Sequence, residues 1–256
     1  MKLKNLILLT AYCLLLTAFA FAQPKEYDGL WFMGFNMHKD IFSDASGLLV
    51  RKAFFTAINR SRIAKDIMGD DFVPTGMIPK GMLGFDPALK GYPYNPKEAK
   101  RLMRQAGYPT NDKRLKILTL LHTDGKKTIE IAKWIKRDLI ALGVDLTLKE
   151  VKYEDQDRWQ TELESGAYHM FLMGKKELVL EEGAVPDTAA LLKSLFHSQG
   201  DANFTFYRNS KIDTLLDELE MLDKTLISVR EEKLKEINRL LLADPPVVNL
   251  FYIIRL

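Results

Sequence analysis

Residues 116–151 read KILTLLHTDGKKTIEIAKWIKRDLIALGVDLTLKEV. Lys116 to His122 is a short apolar run of the kind that fills a buried strand. Lys126 to Leu142 then places apolar residues at helical spacing and stops at Gly143, and Val144 to Val151 alternates apolar with polar as a strand does. Strand, helix and strand in this order form a β-α-β unit, which brings the two strands together in parallel. The unit makes the chain an α/β protein.

Outward from that unit the same alternation continues. Trp31 to Met37 is short, aromatic and apolar and predicts a strand. Residues 48–68 predict a helix in two pieces, broken at Asn59-Arg60-Ser61. Pro74, Pro79, Pro87 and Pro93 then forbid regular helix until Asn95-Pro96, an N-cap followed by an N1 proline, opens a helix that Gly107 closes. Beyond the β-α-β unit, a helix is expected over 154–165, a strand over 168–173, helices over 188–197, 210–222 and 228–243, and a closing strand over 247–254. The sum is a single mixed sheet with helices around it.

The amino terminus predicts export. Lys2 and Lys4 precede an uncharged apolar run to Phe21, and Ala20-Phe21-Ala22 forms a small-residue cleavage pattern before Gln23. Residues 1–22 are therefore expected to be a signal peptide, and 23–256 a single α/β unit. Cys13, the only cysteine, lies inside the apolar run after Tyr12, where a lipid-attachment site would want a small residue; it reads as a bystander. A chain with no further cysteine forms no internal disulfide, which suits a bacterial periplasm. Of the formal charge of +3, two units belong to Lys2 and Lys4, so the exported part is nearly neutral and lacks the basic footprint of a nucleic-acid binder.

Catalytic chemistry is not visible. His38, His122, His169 and His197 are far apart, with no spacing that sets two imidazoles on one helical face, so no metal or cofactor site is expected. There is no nucleophile elbow and no phosphate-binding glycine loop. Acidic clusters such as Glu162/Glu164 and Glu218/Glu220 read as solvated surface. No enzyme is expected.

Two stretches, GFNMHKDIFSDASGLLVRKAFFTAINRSRIAKDIMG (34–69) and GMIPKGMLGFDPALKGYPYNPKEAKRLMRQAGYP (76–109), go beyond pattern. They resemble the family 5 extracellular solute-binding proteins, the peptide- and nickel-type receptors of ABC importers. The matching elements are Gly34-Phe35-Asn36, Val50-Arg51-Lys52-Ala53, Ala57-Ile58-Asn59-Arg60, Tyr94-Asn95-Pro96 and Ala106-Gly107-Tyr108-Pro109. Farther on, Gly166-Ala167-Tyr168-His169-Met170 resembles the family's G-x-Y/F-D-ϕ strand with His169 at the aspartate, and Asn203 with Tyr207-Arg208-Asn209 and the run 244–248 continue in register. The likeness spans about 31–254.

The resemblance implies a type II periplasmic-binding-protein-like fold, of which this chain carries one lobe, the second; the segments that build the first lobe have no counterpart in it. It also implies a ligand loop after the G-x-Y-D-ϕ strand. Here that loop departs from the family's G-W-x-x-D-Y-x-D-P: Lys175 replaces the tryptophan and Glu177 is the nearest acid to the first aspartate. Asp187 matches the second acid, and Tyr252 on the closing strand matches an aromatic that lines the cleft. These four are the candidate ligand contacts. Each has a plainer alternative: a solvated charge pair for Lys175 and Glu177, the N-cap of the helix from Thr188 for Asp187, and core packing for Tyr252.

The expected function is a periplasmic solute-binding component that captures a peptide or similar small molecule for a membrane permease. A single lobe leaves an open face, so its affinity alone is expected to be weak. The alternative is an interaction module whose apolar face pairs with a separate lobe, a second copy or the permease. A decayed receptor remnant is the third reading, and the intact helix caps argue against it.

Overall fold

The computed structural model describes residues 25–177 and 186–255. The expected signal peptide, with Cys13, lies outside the described residues, as does the segment 178–185.

Strand β1 (Tyr27–Phe35) opens the fold and helix α1 (Asp44–Ala57) follows. A helical turn, Arg60–Arg62, passes into a π-helical turn, Ile63–Ile67, and an irregular segment leads to α2 (Pro96–Gln105). The β-α-β unit consists of β2 (Thr119–Thr123), α3 (Lys126–Ile140) and β3 (Thr147–Val151). Helix α4 (Gln156–Ser165) leads to β4 (Met170–Lys176). Three helices, α5 (Thr188–Phe196), α6 (Ser210–Met221) and α7 (Ile227–Ala243), precede the closing strand β5 (Val247–Ile254).

One mixed sheet runs β3-β2-β4-β1-β5. Strand β2 is parallel to both β3 and β4, whereas β1 is antiparallel to β4 and β5. The α/β lobe with one mixed sheet is thus the architecture expected, and several element boundaries move for identifiable reasons. Helix α1 starts before Leu48 because the Asp44 carboxylate accepts from the Ser46 and Gly47 N–H groups at 2.7 and 3.0 Å. Strand β2 starts at Thr119 because Lys113–Lys116 forms a 3₁₀ turn capped by Asp112. Strand β1 extends back to Tyr27 through pairing with Ile254, and β4 extends through Lys175 and Lys176 because Leu30 and Gly29 face them across the ladder.

The family-like motifs prove to be staples that satisfy buried carbonyls. Asn36 donates from its side chain to Gly166 and Tyr168, tying the end of β1 to the start of β4. Buried Arg51 donates to the carbonyls of Phe42 and Pro245 and pairs with Asp244 at 2.8 Å. Buried Arg60 donates to Pro74, Asn249 and Tyr92, so one guanidinium joins the irregular segment to β5. Burial lowers its pKa to about 10, yet it stays charged at neutral pH. Charge-assisted hydrogen bonds of this kind contribute roughly 1.5–3 kcal/mol each, which is why arginine occupies both motif positions. Around them Phe32, Phe35, Phe42, Phe54 and Phe171 fill the core without exposure.

Both ends of the described chain leave the sheet together. Tyr27 pairs with Ile254, and the Arg255 N–H donates to Glu26 at 2.9 Å. Since β1 is antiparallel to β4, they leave at the end of the sheet where β2 and β4 finish.

Candidate ligand groove

That end of the sheet carries a groove of about 680 Å³. Open α/β sheets bind ligands at this place, beyond the carboxyl ends of the parallel strands, because the strands diverge there and loops wall the crevice. Trp31 of β1, Gly174 and Lys176 of β4, and Ile253 of β5 make its floor. Thr123 and Gly125 at the β2–α3 connection make one wall, and Tyr153, Gln156 and Trp159 at the start of α4 make another. Tyr153 is 67% exposed, and its N–H donates to Asp124, which anchors the β3–α4 turn beside the end of β2.

Trp31 is held in place by a flat stack on Phe251, with ring centroids 5.5 Å apart and planes 11° from parallel. Gly174 faces Trp31 across the ladder and leaves room for the indole. Helix α3 opens at Gly125 with no side-chain cap, so its first N–H groups sit at the groove wall and favour an acceptor or a negative group. The groove thus presents aromatic surface, a cation in Lys176 and backbone donors, a combination suited to an amphiphilic solute with polar ends.

None of the four residues expected from the family loop lines this groove. Lys175 reaches Asp201 at 3.8 Å. Burial, then the like charge of Asp187, push the Glu177 carboxyl above the usual range, while Lys175 opposes them; Lys175, Glu177, Asp187 and Asp201 therefore form one charged cluster. Asp187 caps α5, accepting from Ala189 and Ala190 N–H at 2.9 and 3.3 Å, and also lies within 3.8–3.9 Å of Lys224 and Arg230. Tyr252 is 2% exposed; its hydroxyl donates to Gly76 and its ring packs against Tyr27 and Phe72. The structure places it in the core, apart from the other three.

Trp31, Tyr153, Trp159 and Gly174 were not singled out from sequence as ligand contacts. A signal was present: the chain has three tryptophans, and two line the groove. The third, Trp134, is spent between the guanidinium groups of Arg62 and Arg137.

Comparisons with known proteins bear on the family and the fold. The model of "Bacterial extracellular solute-binding proteins, family 5 Middle" matches residues 16–218. This chain is a family 5 solute-binding protein. Among its family 5 relatives, "Di/tripeptide-binding protein 2" of Pseudomonas aeruginosa is 28% identical over 105 residues, covering 41% of this chain and 20% of that protein. "Heme-binding protein A" of Haemophilus influenzae is 25% identical over 202 residues, covering 77% and 35%. Among solved structures, the periplasmic binding protein DppA from Helicobacter pylori, in complex with the peptide STSA, superposes with a TM-score of 0.73 at 22% identity. That superposition covers 90% of this family 5 chain and 43% of DppA, so the chain spans less than half the length of these relatives.

Proposed function

We propose that this chain is the solute-binding part of an ABC importer receptor, supplying one face of the cleft that takes a peptide or similar small solute. The groove at the carboxyl ends of β2 and β4 carries the reading: it joins stacked aromatic surface at Trp31 with backbone donors at Gly125 and the cation of Lys176. A di- or tripeptide offers matching features, an apolar or amphiphilic body with a carboxylate at one end. The names of the relatives support a peptide over other solutes, with a heme-binding relative as the competing case. Export by residues 1–22 would place the chain in the periplasm, where a membrane permease would receive the solute. No step of bond chemistry is assigned to it.

Trp31 and Trp159 make the test direct. Titration of the protein with di- and tripeptide mixtures, read by tryptophan emission and by calorimetry, is expected to show saturable but weak binding, since one open face buries little of a ligand. Sub-micromolar binding by the monomer would overturn the one-face reading. Binding of heme with no response to peptides would overturn the peptide assignment.

A second reading has its own observation. Met221 (87% exposed), Leu226, Ile227 and Val229 project at the α6–α7 turn, which lies near Asp187 through Lys224 and Arg230 and so at the groove end of the lobe. Exposed apolar residues at that end favour pairing with another lobe, a second copy or the permease. A clean monomer by light scattering, with no binding of an apolar dye, would count against that reading.

A further inference from the structure

The opposite end of the sheet holds a second concavity, of about 370 Å³, that the solute-binding reading does not use. It gathers the connection after β1 (His38, Lys39, Asp40), the turn before β2 (Arg114, Ile117) and His169 just before β4, with Tyr108 beneath Arg114. Its polar groups are mostly donors. The His169 Nδ1 accepts from the Thr119 N–H, so the ring proton sits on Nε2. Burial, then the charge of Lys39, lower the His169 pKa, which keeps that ring a neutral donor. Lys39 has no ion pair or side-chain hydrogen bond among the described residues.

The acids nearby are largely committed. Asp112 is held by Arg114 in a chelate through Nε and Nη2, and Asp44 caps α1. Asp40 is the one acid in the lining, and its presence disfavours a dianion. Exposed Ile117 supplies apolar surface, while the Tyr108 ring lies buried beneath the Arg114 guanidinium. Two further features mark the place as built. Phe206, at φ 55°, stands in a backbone region that a bulky residue adopts only at a cost, and it stacks on His38 with centroids 4.3 Å apart. His169 also stands where the resembling strand motif carries an aspartate, so an imidazole donor replaces a carboxylate at this wall.

We propose that this concavity is a binding site for an organic monocarboxylate, separate from the solute groove, with Lys39 and His169 holding the carboxylate and Ile117 packing on the apolar body. Benzoate is the probe. The ε1 protons of His38 and His169, followed by NMR near neutral pH, are expected to shift saturably with benzoate, and not with benzamide, which has the same body without the charge. Inorganic phosphate is expected to compete poorly.

Lys39→Ala should weaken benzoate binding about tenfold, the loss of one charge-assisted contact. His169→Asp should abolish it while the far-ultraviolet circular dichroism and melting curve report whether the fold is kept; should that variant fail to fold, Lys39→Ala and the benzamide control still decide. Equal shifts with benzamide, equal affinity in Lys39→Ala, or no saturation at tens of millimolar benzoate would each overturn the site. Stronger binding of phosphate than of benzoate would overturn the monocarboxylate assignment.

Discussion

Gly174 and Trp31 face each other across the β1–β4 ladder so closely that a methyl group on the glycine would come within 2.7 Å of the indole Cδ1. The missing side chain is what lets the tryptophan lie flat on Phe251 at the floor of the groove.

Gly174→Ala should therefore displace the Trp31 ring. Overpacking of this sort costs about 1–2 kcal/mol of stability, and the emission maximum of the protein should shift as the stack on Phe251 is lost. Peptide titration should show a weaker complex than that of the parent. Unchanged emission and unchanged affinity would separate Trp31 from the solute site.

Asp187 caps α5 and is a ligand candidate through the family resemblance, and two substitutions separate the two roles. Asparagine caps a helix about as well as aspartate, whereas alanine removes the cap at a cost of about 1 kcal/mol. Asp187→Asn should keep the melting temperature and Asp187→Ala should lower it. A loss of peptide binding in Asp187→Asn would reveal a charge contact with the solute; full binding would leave Asp187 a cap alone.

Arg60→Met keeps the apolar stem and removes the donors to Pro74, Asn249 and Tyr92. Buried carbonyls left without partners cost roughly 1–3 kcal/mol each, so urea unfolding should show an unfolding free energy lowered by about 3 kcal/mol or more, read as a lower midpoint at unchanged slope. A loss below about 1 kcal/mol would mean that water replaces the guanidinium.

Acid sensitivity is expected from Asp70. Burial raises its pKa, but hydrogen bonds from Lys25, Tyr27 and the Phe72 N–H outweigh burial and hold the carboxyl below its usual range. A depressed carboxylate contributes stability that is complete above the ordinary value of about 4 and is lost as pH falls through the lower folded value. Melting curves of the parent should therefore decline with pH in that acidic window, and Asp70→Asn should decline less steeply. Parallel slopes for the two proteins would remove Asp70 from the account.

How much of this was legible from the sequence differs from residue to residue. Asn95 before Pro96 located the start of α2 because capping is a matter of neighbouring residues, and Asn95 does accept from Glu98 N–H at 3.1 Å. The start of β1 was not legible, because Tyr27 to Leu30 become strand by pairing with β5, more than two hundred residues away. Asp187, a ligand candidate only through its family position, is the cap of α5, and at the groove Tyr153 and Trp159 belong to a turn and a polar helix with no local mark of ligand contact.

The sequence by itself determined the α/β class, the order of strands and helices and the family, since periodicity, caps and ordered motifs are local properties of the chain. Only the tertiary structure decided that Arg51 and Arg60 are staples, that Tyr252 is core, and that the groove is built from Trp31, Gly174 and Trp159. Those roles depend on which distant segments the sheet brings within a few ångströms, and a linear pattern carries no record of that distance.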